Sequence, residues 1–252
     1  MAKFRKFWQL SLALAKAQFK LRNEGSYLGI FWYLLNPLLM FALLLFVFSN
    51  KLGNNIPHYP IYLLLGIIMF NLFQHITEAS IKTMDSSRLL IKSIKFQRET
   101  LVSSNVLVFL FSHIFELIIF AIMALIFGVS LQGLIFYILV LFLFLIFIYG
   151  ASLILASFYV YFIDIENIWL FVSRILFFAT PIFYEVEKGS NLFLLNLFNP
   201  LYYFITLARD VVIYNKMPEI WLIAGALAYS ITFFIIGSLI FSKLKKKFAE
   251  ML

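Results

Sequence analysis

The chain has 252 residues, of which 63% are hydrophobic and 13% charged, with no cysteine and a formal net charge of +8; its mean hydropathy is +0.98. Water-soluble domains are about half apolar and about a quarter charged, so a soluble enzyme, a disordered tail and a nucleic-acid module are excluded and lipid is the expected solvent. The missing cysteines remove disulfides, thiolate metal sites and cysteine nucleophiles together.

In chain order, residues 1–28 come first and read as an amphipathic interfacial helix. At helical spacing Arg5, Lys6, Lys16 and Lys20 share one sector, while Phe4, Trp8, Leu12, Ala15 and Phe19 line another. Such a helix lies in the headgroup plane. Lys16 and Lys20 interrupt any apolar signal-peptide core. Spans need about 20 mostly apolar residues to cross roughly 30 Å of hydrocarbon, and six windows qualify: residues 30–49, 59–77, 105–127, 134–162, 168–184 and 220–241. None alternates as a barrel strand would. Between the fifth and sixth, residues 189–214 hold two apolar stretches too short to cross, divided by the Asn199-Pro200 turn signal. They are expected to form an external re-entrant helical hairpin, with a pair of surface-lying helices as the other reading.

Orientation follows from the basic residues, because short cytoplasmic segments are enriched in Lys and Arg. Fifteen of the 20 lie before the first window, between the second and third, or after the sixth. Six crossings put all three segments on one side, so both termini are expected in the cytoplasm. Topology then accounts for the positive charge without a polynucleotide.

Several residues invite chemistry. The stretch 80–104 carries Lys82, Arg88, Lys92, Lys95 and Arg98 among Leu89, Leu90, Ile91, Ile94 and Phe96, a pattern that fits either a docking surface for a cytoplasmic partner or an ordinary solvated loop. Arg174 falls inside the fifth window. A cation at membrane depth faces protein or water, so Arg174 either lines a path or pairs with Glu116 or Glu78. His113 and Glu116 stand three apart on one helical face. Two ligands without cysteine make a poor metal site, and an interhelical hydrogen-bond role is expected instead. Asp164 and Glu166 form a close acidic pair, thin support for catalysis. No G-x-x-x-x-G-K-[ST], H-E-x-x-H or G-x-S-x-G motif occurs, so any ATP must be bound by another chain.

Four stretches carry a resemblance. Arg22 to Pro37 reads RNEGSYLGIFWYLLNP, Lys95 to Glu99 KFQRE, Leu176 to Tyr184 LFFATPIFY and Asn199 to Asp210 NPLYYFITLARD. In this order they resemble the membrane permease subunits of ABC-2-type polysaccharide exporters, most of all those for O-antigen. Gln97 stands where the family often has proline, and Ile163 precedes Asp164 where an arginine is common. The resemblance implies an all-α polytopic membrane protein of six transmembrane helices in the cytoplasmic (inner) membrane of a bacterium or archaeon. It also implies a homodimer seated on two ATP-binding subunits, which hold ATP and Mg2+, with no cofactor in this chain. The cargo would be a lipid-diphosphate-linked glycan of O-antigen, capsule or teichoic-acid type.

By position, Lys16, Lys20, Arg22, Tyr27, Trp32 and Tyr33 would border the cytosolic access for the substrate. Phe31, Arg174, Phe177, Phe178 and Tyr184 would line the channel, where aromatic rings meet the apolar faces of sugars. Met84 to Ile94, with Arg88, Leu89, Leu90, Ile91 and Lys92, would couple to the ATPase. Asn199, Pro200, Tyr202 and Tyr203 would build the external cap. Competing readings are an exporter of a small hydrophobic molecule or drug, an integral-membrane glycosyltransferase or lipid phosphatase, and a scaffold without a substrate path.

Overall fold

The structure, a computed structural model, describes residues 2–23, 31–53 and 56–251. The regular structure among those residues is helical, with no strand. The helices are α1 (Ala2–Asn23), α2 (Phe31–Leu52), α3 (Tyr59–Ser86), α4 (Arg88–Ser93), α5 (Glu99–Ile126), α6 (Leu134–Tyr159), α7 (Ile165–Ala179), α8 (Asn191–Leu197), α9 (Pro200–Val212) and α10 (Ile220–Leu244), followed by a short turn and α11 (Phe248–Met251).

Helix α3 is the axis of the bundle. It touches α2, α5, α6, α7 and α9, and every residue from Ile61 to Phe70 is buried, the mark of a helix apolar all round. Its 28 residues span roughly 40 Å at about 1.5 Å per residue. One end of the bundle therefore carries the basic α4 and the chain's lysine-rich tail; the other carries α8, α9 and the start of α10.

Among the described residues four helices are long and apolar enough to cross a membrane: α3, α5, α6 and α10 with its continuation to Lys247. In α2 the apolar stretch Leu35–Ser49 is shorter. Helix α7 has 15 residues and stops at Ala179, short of the expected 184, because Pro181 has no N–H to continue the ladder. Within the stretch 80–104, α3 continues to Ser86, the short α4 follows, and α5 begins at Glu99. Hydropathy reports where a helix leaves lipid, not where it ends. The break expected at Asn199-Pro200 is present, with α8 and α9 meeting at 101°. Ser190 caps α8 by accepting from the Phe193 amide at 3.1 Å, and Asn199 caps α9 by accepting from the Leu201 amide at 3.1 Å, with Pro200 at the first helical position.

In lipid, apolar surface gives no net drive for helix association, so close packing and interhelical hydrogen bonds must supply it. Helices α6 and α10 meet backbone to backbone. A methyl group at Gly237 would sit 2.3 Å from the Gly150 carbonyl oxygen, and one at Gly150 2.4 Å from the Phe233 backbone. Beside this contact the Ser230 hydroxyl donates to the Leu143 carbonyl at 2.8 Å. The Trp169 indole of α7 donates to Thr77 of α3 at 3.1 Å. His113 joins Glu116 at 2.9 Å and the Tyr137 hydroxyl of α6 at 2.8 Å. The hydrogen-bond role expected for His113 and Glu116 is therefore the observed one, and no group of three or more metal-ligating side chains occurs among the described residues.

Gly150→Val should force α6 and α10 apart and lower the unfolding temperature of the detergent-purified protein, a loss of about 1–3 kcal/mol. Ile135→Val, at an exposed site on the same helix, should leave that temperature unchanged; equal melting of the two variants would refute the contact.

Candidate functional site

Three surfaces bear on function, one of them built on the first helix. Ala15 and Ser11 are the buried positions of α1, and their small side chains let α1 lie close along α5. The Phe19 ring meets Phe111 edge-on at 4.9 Å, and the Arg22 guanidinium sits over the Phe109 ring at 4.5 Å. Between the helices runs a groove of about 780 Å³, floored by Leu12, Leu107, Val108, Phe111 and Ile114 and edged by Lys16 and Lys20. Both lysines are exposed. An apolar trough with cations on its edge suits an alkyl chain bearing an anionic head. Of the other expected access residues, Trp32 is half exposed; Tyr27 and the side chain of Tyr33 lie outside the described residues.

The second surface is α4 at the basic end. Ile91 is buried and packs with Met84, Leu101, Leu153 and Phe248, whereas Leu89 is 82% exposed. Arg88 pairs with Asp85 at 2.9 Å, Lys92 is exposed and Leu90 half-buried. One apolar knob anchors the helix and the other points away from the bundle. The tail supports this end: Lys245 pairs with Glu99, and Arg98 donates to the Lys245 carbonyl.

At the far end the deciding residue is one that sequence reasoning passed over. Arg209 is 3% exposed. Its guanidinium donates to the carbonyls of Tyr62 at 3.1 Å, Pro181 at 2.5 Å and Ile182 at 2.8 Å, and stacks on the Tyr62 ring at 3.3 Å. Gly66 makes room, since a Cβ there would lie 2.6 Å from the guanidinium. The Tyr62 hydroxyl donates to the Tyr184 carbonyl at 2.8 Å and the Tyr59 hydroxyl to the Phe183 carbonyl at 3.0 Å. Every one of these bonds but those to Tyr62's own carbonyl serves the extended segment that follows α7. The signal was available: an arginine inside an apolar helix, the rule that singled out Arg174.

Arg174 itself is exposed on α7 and has no ion pair among the described residues; Glu116 binds His113 and Glu78 accepts from Gln74 at 2.7 Å. Phe178 is also exposed, at 63%. Phe177, expected in the channel wall, is instead buried and packs edge-on against Phe70 at 5.0 Å, because it lies on the face of α7 that meets α3. Tyr184 is half-buried and donates to the Ala179 carbonyl at 2.8 Å. The side chain of Phe31 lies outside the described residues. In the cap, Asn199, Tyr202 and Tyr203 are buried, and Asn199 donates to Thr180 at 2.9 Å. Pro200 is half-buried. The Tyr203 hydroxyl donates to the last carbonyl of α8, that of Leu197, at 2.9 Å. Nearby Glu219 accepts from Lys188 at 2.6 Å and from the Trp221 indole at 2.5 Å, and these bonds hold its carboxyl below the usual carboxylate range.

A bundle of long apolar helices with a basic amphipathic first helix is the fold of a polytopic membrane protein. The sequence profile of the ABC-2 type transporter family matches residues 9–213, and the chain belongs to that family as a multi-pass membrane protein. It is similar to the O-antigen export system permease protein RfbA of Myxococcus xanthus, 24% identical over 245 residues that cover 96% of this chain and 94% of that protein. A protein of the same name from Klebsiella pneumoniae is 25% identical over 248 residues, covering 97% of this chain and 95% of its own length.

Arg209→Met should leave the carbonyls of Pro181 and Ile182 without these donors, at about 1–3 kcal/mol per buried unsatisfied group, and lower the unfolding temperature accordingly. Arg209→Lys should recover only part, because an ammonium is a point charge without the planar fork. A wild-type melting curve for Arg209→Met would remove the clamp assignment.

Proposed function

We propose that this chain is the channel-forming permease subunit of an ATP-driven exporter that moves a lipid-linked polysaccharide of O-antigen type across the cytoplasmic membrane. The observation that carries the reading is the groove between α1 and α5, apolar along its floor with Lys16 and Lys20 on its edge. The lipid tail of the carrier lies in the trough and the diphosphate meets the lysines, so the most costly part of the cargo to desolvate is compensated where it enters. Relatives named as O-antigen export permeases, aligned over nearly the whole chain, support the glycan as cargo, and the apolar floor fits a lipid carrier better than a free sugar.

In this reading α2, α3, α5, α6, α7 with the segment to Tyr184, and α10 make six crossings. Both termini and α4 face the cytoplasm, and α8 and α9 form a re-entrant cap outside. Two copies meet so that the exposed side of α7, with Arg174 and Phe178, faces the path. Phe, Tyr and Trp rings offer stacking to sugar faces without deep hydrogen-bond traps. Two partner subunits bind ATP and Mg2+ and dock on Leu89, Arg88 and Lys92; their closure pushes α4, and Ile91 passes the movement into the bundle.

With Lys16→Glu and Lys20→Glu together, photo-crosslinking of lipid-linked glycan to the permease should fall on the order of tenfold, from roughly 1 kcal/mol lost per cation near a phosphate. Undiminished crosslinking would remove the access assignment. Leu89→Asp with Lys92→Glu should abolish co-purification with the ATPase while membrane insertion stays normal; retained ATPase in the purified complex would place the docking surface elsewhere.

A further inference from the structure

The far end holds a second cavity, of about 150 Å³, between the connection that follows α7, helix α9 and the start of α10. Its walls include Tyr202, Trp221, Tyr214, Thr206 and Asp210. The indole of Trp221 lies parallel to the Tyr202 ring within 26° at 6.3 Å and is locked by its bond to Glu219. Asp210 is 5% exposed; one carboxylate oxygen accepts from Lys216 at 2.9 Å, leaving acceptor capacity on the other. Glu185, at the rim, is exposed.

The charges select the ligand. Arg209 is committed to backbone carbonyls, Lys188 to Glu219 and Lys216 to Asp210. The cavity thus offers no uncommitted cation to an anion. What it offers is ring surface and carboxylate acceptors, the pairing that suits a ring with one apolar C–H face and a rim of hydroxyl donors. Its volume admits one such ring and is well below the roughly 300 Å³ at which drug-sized pockets begin.

We propose that this cavity, bounded by Tyr202, Trp221, Tyr214 and Asp210, is a subsite for a single uncharged sugar ring of the emerging glycan. The inference rests on the exporter reading above. Each protomer holds one residue of the polymer outside the crossing, with its face on the aromatic wall and its hydroxyls on Asp210, and so opposes backsliding between strokes of the motor.

The test uses the complete exporter in glycan-producing cells, with p-benzoylphenylalanine placed singly at Trp221, at Thr206 in the same cavity, at exposed Ile220 just outside it, and at Phe111 in the α1–α5 groove. After irradiation the permease is probed with a glycan-specific antibody. Positions 221 and 206 should give a glycan ladder at least fivefold stronger than position 220, and Asp210→Asn should reduce that ladder severalfold. Capture at 111 with none at 221 and 206, or with no excess over 220, overturns the subsite and leaves the exporter reading standing. Glycan captured at none of the four positions overturns both. Should position 221 fail to accumulate, position 206 alone decides, since Thr206 lines the cavity but contributes no ring to its aromatic wall.

Discussion

Everything at the far end depends on how a break in backbone hydrogen bonding is repaired. Pro181 ends α7, and the carbonyls that follow lose their helical partners in a medium where an unpaired one costs several kcal/mol. Arg209 supplies the donors. Its fork reaches Pro181, Ile182 and the Tyr62 carbonyl together, with the Tyr59 and Tyr62 hydroxyls covering Phe183 and Tyr184. A guanidinium is weakly hydrated and spreads its charge over a planar fork, and here it makes four bonds to carbonyl oxygens. The extended segment, α9 and the top of α3 become one unit through Arg209 and the two tyrosine hydroxyls.

That unit is continuous through α3 with the basic end of the molecule. Helix α3 touches the cap through Tyr62 and Gly66 and continues without interruption to the turn before α4. At the basic end Ile91 sits in a small separate core with Met84, Phe241 and Phe248, so a displacement of α4 is felt by α3, α5 and α10 at once. Helices held by backbone contact at Gly150 and Gly237 slide as rigid bodies more readily than they deform, since close-packed interfaces have few intermediate arrangements. The groove on α5 lies outside this frame, on the side where α1 is attached mainly by small residues and two aromatic contacts.

Much of the architecture was legible in the residues alone. Apolar windows located α3, α6 and α10 to within a few residues at their lipid ends, and the Asn199-Pro200 signal marked the bend between α8 and α9. The polar continuation of α3 was not legible from hydropathy, because Glu78, Lys82 and Asp85 lower it, although Glu and Lys are good helix formers. Lys16 and Lys20 edge a groove between α1 and α5 that the sequence did not show. Phe177 was expected to face a channel and is turned inward; an aromatic run such as Phe177-Phe178 places its neighbours on different faces, and only the packing of α7 on α3 tells which is which.

Sequence by itself determined the solvent, the helical class and the separation of a basic from a near-neutral end, since these are sums over composition and position along the chain. Tertiary structure decided which arginine is buried among carbonyls and which is left exposed, and where a trough or a cavity opens. Arg174 and Arg209 obey the same rule of hydropathy. They differ only in what folds against them: α9 brings Arg209 onto the glycine at position 66 and the chain beyond Pro181, while α7 turns Arg174 away from α3. Partner choice of that kind is a property of three-dimensional approach, which no one-dimensional pattern encodes.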